Sequence, residues 1–185
     1  MSATTGTRTG TDTTVGTGTS TTVGGRERAD LLETLARHRF FLRFTVRDLT
    51  DEQASRRTTA SELSLGGLVK HVTASEAFWA DFVVRGAAAA EGGEENWPDN
   101  FRMLPGETLA GVLAAYDEVA RRTDELVRTL PDLDADHALP EAPWFEPGAR
   151  WSARRALLHV VAETAQHAGH ADNLRESLDG ARTLG

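Results

Sequence analysis

The chain has 185 residues, 39% of them hydrophobic, and a formal net charge of −8, which fits one globular domain with a sizeable core. Its single lysine is Lys70 and its arginines are scattered, so nucleic-acid binding through phosphate neutralisation is excluded. No apolar run approaches the roughly 20 residues that span a bilayer, and the absence of cysteine means that any thiol chemistry needs a thiol brought by a substrate.

Residues 1–25 are mostly threonine and glycine. Such a segment buries too little apolar area to offset its ordering entropy, and a disordered tail is expected. It lacks the apolar stretch of a signal peptide, so the expected compartment is the cytoplasm. The remainder, 26–185, reads as one helical domain. The first helix is expected from Arg26 to Asp48, with Leu35, Leu42 and Leu49 at a seven-residue repeat and His38 and Thr45 between them. Leu49 to Glu52 breaks that pattern. The second helix is expected from an N-cap at Ser64 to Val84, with the seam Leu68, His71, Ser75, Phe78 and Phe82.

A loop with Gly92, Gly93, Pro98, Pro105 and Gly106 follows. The third helix is expected from Glu107 to Leu130, with Val112, Tyr116, Val119, Thr123, Leu126 and Leu130 inward. A second long connection carries four prolines, Pro131 to Pro147. The fourth helix begins after Trp151, with Ser152 as N-cap, and ends near Leu178 with Gly180 beyond. No strand alternation or internal repeat is evident. The expected fold is therefore an all-α four-helix bundle, its two later connections long enough for crossovers.

The chemistry concentrates on the fourth helix. His159, Glu163, His167 and His170 are spaced four, four and three residues apart, so they share roughly one quarter of the helix circumference. Leu174 and Leu178 continue that line, which is expected to be the inward seam. Imidazoles and a carboxylate in a seam cost free energy unless paired or bound to a metal. His159 and His170 lie about 16 Å apart along the axis, too far to share one ion. The usable pairs are Glu163 with His167, His159 with Glu163, and His167 with His170. Any of them, joined by His71 from the second helix, gives a three-donor set for zinc or a similar ion, with one position left for water or substrate.

The segments Gly66-Gly67-Leu68-Val69-Lys70-His71-Val72, Glu163 to Asp172 (ETAQHAGHAD) and Leu174-Arg175-Glu176 resemble those of the DinB-like superfamily. The resemblance is nearest to its actinobacterial DUF664 branch, which is similar to the mycothiol-dependent maleylpyruvate isomerases, and it spans about residues 27–180. It implies a DinB-type bundle holding a divalent metal, zinc or nickel, on His71, Glu163 and His167. His159, His170, Asp172 and Arg175 are then expected beside the metal or lining its pocket, with an Asp172–Arg175 ion pair as the plainer reading of those two. Gly169 is expected to permit close helix approach. His38 reads as a core histidine, and His137 has no evident role. Phe78, Trp79 and Phe82 read as core, while Trp97, Phe101, Trp144, Phe145 and Trp151 either wall a pocket or cap the bundle.

The resemblance implies a metal-dependent enzyme in which a low-molecular-weight thiol of the mycothiol kind is transferred to, or isomerises, a small electrophile. A metal-dependent hydrolase acting through water and a non-enzymatic binding protein are the alternatives. The expected partner is a small-molecule substrate, and a homodimer is left open.

Overall fold

Ser64, Thr108 and Ser152 each accept a hydrogen bond from the backbone N–H three residues on, at Gly67, Gly111 and Arg155, and so set the starts of three long helices. The computed structural model describes Met1 and residues 23–91 and 97–183. Its helices are α1 (Val23–Thr45), α2 (Asp51–Ser55), α3 (Leu65–Arg85), α4 (Leu109–Thr129) and α5 (Ala153–Asp179). Residues 86–90 and 97–101 form 3-10 turns after α3. Apart from Met1, the expected tail up to position 22 lies outside the described residues. Gly180, at φ 79°, ends α5 in the left-handed conformation that glycine adopts freely.

Two elements depart from the sequence reading. The break after Leu49 is a turn of helix, α2, held by a capping box in which Thr50 accepts from the Gln53 N–H and the Gln53 side chain accepts from the Thr50 N–H. An antiparallel ribbon is also present where no strand was expected. Strands β1 (Asp136–Ala138) and β2 (Arg150–Ser152) pair His137 with Trp151. Three residues a side are too few for alternation to show in a sequence.

α5 packs against both α1 and α3, and α4 packs against α3 and, less extensively, α1. α1 and α3 barely touch and sit diagonally, as do α4 and α5. The chain therefore crosses the bundle between α1 and α3 and again between α4 and α5. The core falls into two clusters. One gathers Leu42, Leu68, Val72, Tyr116, Ala171 and Leu174; the other gathers Leu35, Trp79, Phe82, Val127, Ala156 and Leu157.

Between them runs a polar layer that the sequence reading missed. Arg39 of α1 is 6% exposed and Glu76 of α3 is 1% exposed. The guanidinium donates twice to the Glu76 carboxylate, and Nη1 donates to Asp124 Oδ1 of α4 at 2.7 Å. Arg39, not the half-buried His38, therefore continues the inward row of α1. On α3 the buried row takes in Glu76 and Trp79 while Phe78 is only half-buried, and on α4 Val127 is buried in place of Leu126.

The inward seam of α5 is also displaced from expectation. Its buried row is Ala156, Leu157, Val160, Thr164, Ala168 and Ala171. His159, Glu163 and His167 lie one position around the helix and are half-buried, and His170 is exposed. Alanine lets the neighbouring helices close on α5, whereas a polar row retains hydration at the flank. Gly169 does not serve helix approach, because a Cβ there would meet nothing within 4 Å. Among the described residues, no helix is long and apolar enough to cross a membrane.

Candidate metal centre

The Gly66–Gly67 pair at the start of α3 is a packing device. A Cβ on Gly67 would lie 2.0 Å from the Phe101 carbonyl oxygen, and one on Gly66 would lie 2.3 Å from Met103 Sδ. At Gly67 only bare backbone lets the Phe101 main chain lie on α3, whereas at Gly66 the Met103 side chain would have to shift. The segment around residues 101–103 brings the Phe101 ring face to face with the His71 imidazole, centroids 4.1 Å apart. His71, one turn into α3, is 7% exposed.

α5 supplies the other half. Glu163 and His167, one turn apart, face His71 across the α3–α5 contact. One ligand-capable atom from each of the three lies within 4.8 Å of the others. Glu163 Oε2 is 3.3 Å from His167 Nε2 and 3.9 Å from His71 Nε2. Donors sharing a tetrahedral ion at bonds of about 2.1 Å stand about 3.4 Å apart, so these separations suit a common ion.

The local fields favour the ligand form. Burial, with the nearby His167 adding to it and Glu163 opposing, pushes the His71 pKa down to about 4. Burial likewise lowers His167, against the pull of the Glu163 carboxylate. Both imidazoles are neutral at pH 7 and offer a lone pair. His170 Nδ1 lies 3.4 Å from His167 Nδ1, where it can orient the ring of a histidine whose Nε2 faces the centre.

His159 stands on the other side of Glu163, with Nε2 3.7 Å from Oε1. Its ring meets Trp79 at 4.9 Å and Trp151 at 5.2 Å, both edge-on. Burial lowers its pKa, with Glu163 acting against the shift and Arg155 adding to it. Trp79 and Trp151 stack at 4.7 Å, and Phe145 meets Trp151 at 5.7 Å. The centre is thus flanked by Phe101 on the His71 side and by the two tryptophans on the His159 side.

Asp172 and Arg175 behave differently from expectation. They do not pair with each other. Arg175 Nε bonds the Asp179 carboxylate, and Nη1 donates to the carbonyls of Thr45 and Arg47, tying the end of α1 to α5. Asp172 Oδ1 accepts from the Thr183 N–H. Arg175 thus fastens the end of α1, and Asp172 the segment that follows α5. His137 packs over Gly86 and against Phe82, and Trp144 is 76% exposed. A groove of about 850 Å³ between α3 and α4, lined by Ala77, Phe78, Val119 and Arg122, contains none of the three clustered donors.

A family model for mycothiol-S-transferases matches residues 30–180. No curated protein matches the chain. Among solved structures, the crystal structure of a conserved protein from Enterococcus faecalis is similar, with a TM-score of 0.57 at 13% identity over 83% of this chain and 97% of that one. At that identity the likeness concerns the fold, an all-α DinB-like bundle.

Proposed function

The chain belongs to the mycothiol-S-transferase family, and from that premise we propose that it is a divalent-metal-dependent enzyme joining a low-molecular-weight thiol to a small electrophile. The observation that carries this reading is the meeting of His71, Glu163 and His167 within 4.8 Å in a chain without a cysteine of its own. Two neutral imidazoles and one carboxylate fit zinc best, with nickel the second candidate.

When bound, such an ion supplies Lewis acidity, which lowers the pKa of a thiol so that the thiolate exists at neutral pH. The protein's own contribution is to hold three donors at ion-sharing distance and leave one position for a substrate atom. The Glu163 carboxylate balances part of the cationic charge. His170 orients His167, and Phe101 shields His71 from water. In the transfer, the thiol proton leaves to solvent, sulfur forms a bond to the electrophilic carbon, and the leaving group departs with its bonding pair. A cytoplasmic setting, where small thiols stay reduced, belongs to this reading.

The test uses zinc-loaded protein with 1-chloro-2,4-dinitrobenzene, with and without mycothiol, following the thioether by absorbance and mass. Turnover is expected only with both thiol and metal, and His71→Ala and His167→Ala should each lower it more than about 100-fold. Product formed without thiol would favour the hydrolase reading. Absence of turnover across a wider set of electrophiles would favour a binding protein.

A further inference from the structure

We propose that Arg155, Trp151 and His159 form the binding surface for the electrophile, and that it selects a flat aromatic acceptor carrying a carboxylate. This rests on the thiol-transfer reading above and names the substrate class of that same centre.

The argument starts from the arginines around the start of α5. Arg150 pairs with Asp136, and Arg154 pairs with Glu27 and Asp134. Arg155 has no carboxylate partner among the described residues. Its guanidinium lies 4.4 Å over the Trp151 ring, which leaves its in-plane N–H donors for an anion. An exposed, unpaired guanidinium held on an aromatic face is preorganised for a carboxylate in a way that a freely moving surface arginine is not.

The same indole continues toward the centre, because Trp151 also meets the His159 ring, and His159 meets Glu163. Arg155, His159, Glu163 and His167 follow one another at four-residue intervals, so they form one line on α5. Eight residues separate Arg155 from Glu163, about 12 Å of helix axis. A two-ring acceptor anchored by its carboxylate at Arg155 and running along the edge of Trp151, whose faces already carry Trp79 and Arg155, past the His159 ring would point its far end at the clustered donors. On the opposite flank, where Phe101 covers His71, the described cations Lys70 and Arg102 are already paired, with Glu107 and Asp99. A polyhydroxylated thiol without a carboxylate has no need of Arg155, so this flank suits the acceptor.

The test measures binding apart from turnover. Isothermal calorimetry compares 6-(hydroxymethyl)-2-naphthoate, an unreactive acceptor analogue, with the matching carboxamide on wild type, Arg155→Gln and His167→Ala. Wild type should bind the carboxylate about tenfold more tightly than the amide, as one charge-assisted contact implies. Arg155→Gln should bring the two within about twofold by weakening the carboxylate alone, with helical circular dichroism unchanged. Equal binding of the two by wild type, a preference that survives in Arg155→Gln, or no measurable binding of either would overturn the proposal. His167→Ala should retain the preference while losing metal and turnover, so failure of the transfer reading and failure of this surface are read separately.

Discussion

His71 shows how one residue's surroundings decide its chemistry. Its imidazole lies under Phe101 and 7% exposed, and burial holds its pKa near 4, well below the ordinary 6.5. The sign follows from linkage. A histidine whose folded pKa is depressed binds a proton more readily in the unfolded chain, so its stabilising effect is complete above the unfolded pKa and is lost as pH falls toward the folded one. Between pH 7 and pH 5 the metal-free protein should lose about 2 kcal/mol through His71 alone, with His167 and His159 adding in the same direction. Urea midpoints of chelator-treated protein at the two pH values check this. In His71→Gln the His71 part of the pH dependence should vanish; a slope as steep as wild type would mean that His71 is not the group responsible.

At the scale of elements, the diagonal pair α1 and α3 is joined through the bundle by charge. Arg39 reaches Glu76 across the middle and Asp124 on α4, and both members of the central pair are almost fully buried. Removing one partner leaves the other charge stranded, so Glu76→Ala should cost about 3–5 kcal/mol in urea unfolding, whereas Arg39→Met with Glu76→Leu should recover most of it. The glycine pair makes a second link. Gly67→Ala forces a methyl group into the Phe101 backbone, so the loop must move off α3, at about 1–3 kcal/mol. That movement should uncover His71, read as faster modification of its imidazole by diethyl pyrocarbonate; an unchanged rate would show that Phe101 does not shield it. These links mark what the sequence could and could not reveal. Ser64, Ser152 and Gly180 announce helix ends through local chemistry, so the long helices were legible; for the donors the spacing left three pairs on α5 open, and the family resemblance singled out Glu163 and His167 beside His71. Arg39 and Glu76 were not, because charges in an apolar row read as surface until a partner from another helix is known. The α5 seam was misread for a related reason: the row of alanines beside the histidines carries little hydrophobic signal, yet it is what the neighbouring helices close upon.

For the molecule as a whole, the candidate centre joins α5, which packs on both α1 and α3, to α3 itself. An ion held there would stabilise the entire bundle, since the donors are assembled only when the helices are packed. At free zinc about 1,000 times the dissociation constant, linkage gives roughly 4 kcal/mol. For a domain of this length that corresponds to a rise of roughly 10 °C in Tm. Differential scanning calorimetry should show that rise in wild type and none in His167→Ala. The pH dependence of the rise is the sharper measurement. Ordinary histidines with a pKa near 6.5 are mostly protonated at pH 6 and release zinc. Here burial brings the His71 pKa down to about 4 and lowers that of His167 as well, so more of the zinc-induced rise should persist at pH 6 than ordinary histidines would allow. Loss of the rise already at pH 6 would mean that protons, rather than the folded arrangement of α3 and α5, govern whether the donors are available.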